Sequence, residues 1–347
     1  MNTFINQSPA IISVDPYPSD DAQEIDDFQV EAECREAKVD LAHHGERLDR
    51  ALVYAVPEFS RSYLQQLIEA GCVQLNAKVV TKTSLTVKAG DALAIEMRPT
   101  PQSKAFKAEP LDLKVVYEDQ HIFVINKPAG LVVHPAPGNW SGTLLNGLLF
   151  HDPKISEVPR AGIVHRLDKD TSGLMVVARS RKAMDALVQA IAARTVSRQY
   201  LAVGHGPWSG AQMRTVEVAI GRDPRNRLRM AVVDLAKSPG KTAKTDLIFL
   251  ANSQEGCLVQ CVLHTGRTHQ IRVHMASVGH PLVGDVVYGG TVLECMPRQA
   301  LHAFRLAFQH PVTGLDLAFE VPPPPDFMHL LNHWGLSYNA ATASKPA

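Results

Sequence analysis

The 347-residue chain has no apolar run approaching the ~18 residues that a bilayer-spanning helix requires, so no membrane span is expected. Its first ten residues, MNTFINQSPA, lack the basic and apolar regions of a secretory leader. Cysteine is scarce: Cys34, Cys72, Cys257, Cys261 and Cys295 are odd in number and scattered. That pattern excludes a disulfide framework and suits reduced thiols in a cytoplasmic protein. Several catalytic signatures are also missing. There is no H-E-x-x-H pair of metal ligands and no G-x-S-x-G nucleophile elbow. Gly240-Lys241-Thr242 could end a phosphate-binding loop, but Leu235 stands where that loop needs glycine. Cys257 and Cys261 share one face of a strand, and His264 then points away. Four converging ligands are therefore lacking for zinc, and no metal is expected.

Basic residues are absent from positions 1–34, which hold eight acids. The whole chain has 35 basic and 35 acidic residues, so setting those eight aside leaves residues 35–347 at +8. A neutral total thus hides an acidic tail ahead of a basic body, an asymmetry that points to a nucleic-acid partner. With 45% hydrophobic residues the chain can bury a core, and its length allows two domains.

Residues 1–38 are polar, acidic and dotted with proline, without a sustained period, and are expected to be disordered. Residues 44–98 read as a small module. Ser60 is a good N-cap and Gly71 a good C′ residue for a helix whose Leu64, Leu67 and Ile68 share a face. Val73–Leu75 and Val79–Val80 form a hairpin around Asn76-Ala77, and a turn at 89–91 leads into a strand from Ala92 to Met97. Residues 99–112, with three prolines, read as a linker.

From 113 to 335 a larger domain follows, then a tail at 336–347. Val115–Tyr117 and Ile122–Ile125 flank a turn. Helices are expected at 143–150 and 181–193, and strands from Ser197 and from Leu301 to Phe308. Residues 213–276 read as short strands and turns, and Pro322–Pro325 as the end of regular structure. Few helices among strands joined by turns give an α+β fold with a mixed, mostly antiparallel sheet.

The chain is organised around Gly162–Ser180. Gly173–Ala178 is a short, β-branched apolar run and reads as a buried strand. His165 to Ser172 is polar and charged and reads as a loop at that strand's mouth. Read as a strand, Gly266 to Met275 puts Thr268, Gln270 and Arg272 on one side. An arginine among apolar neighbours needs a buried acid, and Asp168 is the natural partner.

The run H-R-L-D-x-x-T-S-G at 165–173 resembles a motif of the pseudouridine synthases of the RluA/RluD type. So do V-I-N-K-P-A-G-L-V-V-H-P at 124–135, G-R-T-H-Q-I-R at 266–272, L-H-A at 301–303 and Gly279–Gly290. The module at 44–98 resembles an S4 RNA-binding domain through G-E-R-L-D-R-A-L and S-R-x-x-L-x-x-L-I-x-x-G-x-V-x-L-N. The resemblance implies that Asp168 is catalytic, that Tyr200 is the active-site tyrosine and that Arg272 pairs with Asp168. Gly279–Gly290 is read as support for the loop. Arg47, Arg50 and Arg61, with Lys78 and Lys82, would face phosphates. Arg166, Lys169, Arg267 and the cluster Arg222, Arg225, Arg227 and Arg229 would form a basic rim, and Leu301 would give apolar support. The implied reaction turns uridine into pseudouridine in large-subunit ribosomal RNA, at the helix 69 stem-loop, in a cytoplasmic monomer without cofactor or metal. Other ribosomal or transfer RNA uridines, or non-catalytic RNA binding in ribosome assembly, are the alternatives.

Overall fold

The computed structural model describes residues 33–57, 61–97, 106–136, 139–226 and 229–338. It divides into two compact units, parting between Lys107 and Ala108. Ser60, Arg227, most of the acidic segment, the first half of the 99–112 linker and the extreme C-terminal tail lie outside the described residues.

The first unit holds β1 (Glu33–Lys38), α1 (Leu48–Ala55), α2 (Arg61–Glu69), β2 (Val73–Leu75), β3 (Lys78–Val80) and β4 (Ala92–Met97). Its sheet runs β1-β4-β2-β3, antiparallel throughout. Leu64, Leu67 and Ile68 of α2 are buried against Leu48 and Leu52 of α1 and against Val73 and Ile95 of the sheet. The β2–β3 hairpin turns through Asn76 and Ala77 at φ 52° and 62°, the left-handed pair that a two-residue turn demands. Residues 33–38 correct the expectation of disorder through 38. They pair along their whole length with β4, and an edge strand is held by backbone hydrogen bonds that leave no apolar period to read.

The second unit is built on one sheet. Its elements are β5 (Val115–Glu118), β6 (Ile122–Lys127), α3 (Leu144–His151), β7 (Ser172–Ala178), α4 (Arg181–Ala192), β8 (Ser197–His205), β9 (Met213–Arg222) and β10 (Met230–Val232). They continue as β11 (Gly240–Asn252), β12 (Gly256–Leu263), α5 (Gln270–Ser277), β13 (Leu301–Gln309), β14 (Asp316–Glu320) and α6 (Pro325–His333). The strand order is β10-β9-β11-β12-β8-β13-β7-β6-β5, with β14 beside β13. Of the strand pairs among the described residues, β7–β13 is parallel and the rest antiparallel. The fold is therefore α+β with a mixed, mostly antiparallel sheet. Every residue of β7 is buried, as its apolar run requires.

Three local readings need correction. Residues 213–276 are dominated by long strands, up to the 13 residues of β11, and end in a helix. That helix, α5, occupies the segment read as a strand. His269 takes φ 56°, and the chain then coils from Gln270, whose side chain is locked in place. Its Oε1 accepts from the Thr265 hydroxyl at 2.7 Å and the Arg267 N–H at 3.0 Å, while its Nε2 donates to the Lys244 carbonyl at 3.0 Å. Ile271 and Met275, four apart, enter the core. Regular structure also continues past the proline run as α6. Its leading proline sits where a missing N–H costs nothing, and Phe327, Leu330 and Leu331 are buried.

Candidate active site

The polar run from His165 to Asp170 loops out just before β7 and is tied down from several sides. Two glycines bracket it. Gly162 has φ 70°, and a Cβ there would overlap the Ala178 carbonyl. Gly173 has φ 116°, and a Cβ there would overlap the Ala303 backbone. Lys127, at the end of β6, is fully buried. Its Nζ donates to the carbonyls of Pro128 at 2.8 Å, Leu131 at 2.9 Å and Lys169 at 2.9 Å, so its three hydrogens meet three acceptors. Burial pushes this amine down to about 7, and the Asp170 carboxylate works against the shift. Arg298 Nη1 donates to the Asp170 carbonyl at 2.9 Å, and the Ser172 hydroxyl meets His302 Nδ1 at 2.9 Å.

This scaffold presents Asp168 to a cavity of about 530 Å³, within the range of small-molecule sites. Tyr200 of β8, Arg272 of α5, Leu301 of β13, Arg166 and Arg267 line the same cavity. Lys169 does not. Its side chain is exposed, and its carbonyl serves Lys127. Arg272 Nη1 donates to Asp168 Oδ2 at 3.2 Å, so the expected pair forms, although from a helix.

Arg272 has a second and tighter partner. Its Nε and Nη2 donate to Asp285 at 2.7 and 2.8 Å, a bidentate clasp, and its guanidinium lies 4.9 Å from the centre of the Tyr288 ring. Burial opposes the charge on Arg272, but hydrogen bonds and charge from Asp285, joined by Asp168, outweigh it and hold its pKa above the ordinary value. His269 Nδ1 meets the Tyr288 hydroxyl at 2.8 Å, and its Nε2 comes within 3.9 Å of Asp168 Oδ1. Burial pushes that imidazole down and favours the neutral ring, against the pull of Asp168. Asp285 and Tyr288 thus belong to the site, where Gly279–Gly290 was read only as support for the loop. The sequence held no separate signal for them: one acid is enough to answer a buried arginine, and Asp168 already filled that place.

Tyr200 is buried, which pushes its hydroxyl up to about 12. Cys257 and Cys261 both face the core, where burial pushes their thiols up, and His264 turns to Asp246 at 2.6 Å.

In the first unit Arg47 and Arg61 converge on Asp49, which is fully buried. Arg47 Nε and Arg61 Nη2 donate to it at 3.0 and 2.8 Å, and Gln65 adds a bond of 2.6 Å. Burial alone would raise the Asp49 pKa, and these donors hold it well below the usual range. Both arginines stay about half exposed, so an acid that the sequence reading passed over holds them at the surface. Arg50, Lys78 and Lys82 are exposed.

Residues 121–277 match the family model for RNA pseudouridylate synthase, and residues 46–93 match the S4 domain. The ribosomal large subunit pseudouridine synthase D of Neisseria meningitidis serogroup A is 49% identical over 307 residues, covering 85% of this chain and 80% of that protein. Its counterpart in Nitrosomonas europaea is 46% identical over 295 residues, covering 83% and 84%. The Pseudomonas aeruginosa protein of that name is 45% identical over 311 residues, covering 86% and 95%. With likeness of this extent, an S4 domain in front and a buried Arg272 clasping Asp168 at the cavity wall, the chain belongs to the RNA pseudouridylate synthase family.

Proposed function

We propose that this enzyme isomerises uridines of large-subunit (23S) ribosomal RNA to pseudouridine, with the helix 69 stem-loop as its target and the cytoplasm as its place of work. The observation that carries the reading is the Asp168 carboxylate, fixed by Arg272 in a cavity that Tyr200 also lines. The N1–C1′ glycosidic bond breaks, the uracil turns, C5 joins C1′, and the proton lost from C5 is matched by one gained at N1. Atoms and oxidation state are conserved, so the reaction calls for no cofactor. A structured uridine must first leave its stack, at a cost of a few kcal/mol. Asp168 then engages the nucleotide as nucleophile or base. Tyr200, with a hydroxyl pushed up to about 12, stays a neutral phenol near neutral pH. That favours stacking on the base over taking the C5 proton. Arg47, Arg50 and Arg61 supply phosphate contacts from the S4 domain, as Arg166, Lys169 and Arg267 do from the catalytic unit, and Leu301 supports the base.

The test is Asp168→Asn on purified large-subunit RNA, with pseudouridine mapped by chemical probing. Conversion should vanish while RNA affinity stays within a few-fold. Asp170→Asn, outside the cavity wall, should keep its activity. Full turnover by the Asp168 variant would remove the assignment. Conversion of transfer RNA uridines only would move the substrate and leave the chemistry in place.

A further inference from the structure

The cavity wall carries six arginines and one carboxylate, Asp168. Five of the arginines have an evident place: Arg272 is clasped by Asp285, and Arg160, Arg166, Arg194 and Arg267 reach solvent. Arg198 does not fit either description. It lies on β8 two residues before Tyr200, so strand alternation sends both side chains to the cavity side. It is only 6% exposed, and its Nε is sealed from solvent without a hydrogen-bond partner. Among the described residues no carboxylate stands within ion-pair distance of it; Asp168 and Asp285 are both turned to Arg272.

Its neighbours do not supply the missing charge. His165 is neutral: burial, and after it the charge of Arg198, push its imidazole down to about 3, and its Nε2 accepts the Val176 N–H at 3.1 Å. Tyr200 is a neutral phenol. A buried cation without a partner is costly, and proteins keep one where an incoming anion completes the pair. Gly266 adds a second observation. Its backbone is not left-handed, so conformation alone does not call for glycine there. A Cβ at 266 would stand 2.8 Å from Arg198 Nη1. The absent side chain leaves the guanidinium uncovered on the cavity side.

We infer that Arg198, uncovered by Gly266, binds a phosphodiester oxygen of the RNA backbone next to the uridine that enters the cavity. This rests on the reading of the cavity as a uridine site in RNA. The rim arginines can meet phosphates while the RNA is still stacked. Arg198 lies within the wall, and its bond forms only once the nucleotide is inside. It therefore distinguishes an inserted nucleotide from loosely bound RNA, and a nucleotide from a bare nucleoside.

The experiment uses the full-length protein, its Arg198→Gln, Arg198→Lys and Gly266→Ala variants, and synthetic helix 69 stem-loops. Each RNA carries one uncharged methylphosphonate, placed 5′ or 3′ to a candidate uridine. For the wild type, one position should lower kcat/KM by about 10- to 100-fold, the scale of a hydrogen bond to a charged group. Arg198→Gln should show a loss of that size on unmodified RNA and no further loss at that position. Arg198→Lys should fall between, and Gly266→Ala should raise KM in the same direction. Arg198→Gln should melt no lower than the wild type, because it removes an unpaired buried charge. Should the glutamine variant keep the full methylphosphonate penalty at every position, Arg198 holds no phosphate and the inference is wrong. If the wild type converts no uridine in these RNAs, the target reading has failed, and the phosphate site is then read by calorimetry. Wild type should bind uridine monophosphates more tightly than uridine, and Arg198→Gln should bind them alike. Equal binding by the wild type would overturn the inference.

Discussion

Arg272 answers to two carboxylates, and the stronger bond is to the one outside the cavity. Asp285 is buried and bidentate, so it sets the guanidinium plane and leaves Nη1 free to reach Asp168. Asp285→Asn should therefore cost about 3 kcal/mol of stability, the scale for a buried pair that loses one partner. It should also lower kcat, because Arg272 can then swing fully onto Asp168. Urea unfolding and single-turnover assays measure the two effects, and a variant with unchanged stability would show that Tyr288 and Asp168 suffice. At this scale the meeting of Asp168, Tyr200 and Arg272 at one cavity was an expectation of the family resemblance, and their side chains do line the same cavity. Asp285 was not legible, since the acid that serves Arg272 lies 13 residues on, across a turn that no period links to it. Lys127 was also hidden: its three acceptors are backbone carbonyls, which every residue has.

Elements were read well where the apolar pattern was clear, as in α2, α4, β4 and β7. They were misread where burial is polar. Gln-Ile-Arg-Val-His reads as a strand because Ile and Val are β-branched, yet the Gln270 side chain anchors a helix start. Strand β1 was hidden for the opposite reason: it is exposed, charged and held by its backbone. That strand divides the acidic segment into two experiments. Removing residues 1–32 takes away seven acids and leaves β1 whole. If that segment competes for the basic surface, RNA binding should tighten at low salt and the gain should fade as salt rises. Affinity unchanged at every salt concentration would make the segment an inert solubiliser. Removing residues 1–38 also strips β4 of one of its two antiparallel partners, and should lower stability by about 2 kcal/mol, a few net backbone hydrogen bonds. Thermal melts of the two truncations separate the effects.

Across the whole molecule, the S4 unit draws its described strands from residues 33–97, whereas the catalytic sheet is stitched together from both ends of its sequence. β7, which follows the Asp168 loop, and β8, which carries Tyr200, are not neighbours. β13 lies between them, parallel to β7 and antiparallel to β8. Ser172 meets His302 across 130 residues of chain, and such distant pairings make for slow assembly. The order of synthesis therefore becomes an order of competence. A chain still emerging from the ribosome has its RNA-binding module complete long before Leu301–Gln309 arrive to join the two halves of the site. Chains stalled at residue 300 should resist protease in their first unit and be cut freely in their second, and protection of both would mean that the halves can meet without β13. A growing copy of this enzyme could thus hold RNA at a stage when it has no means of changing it.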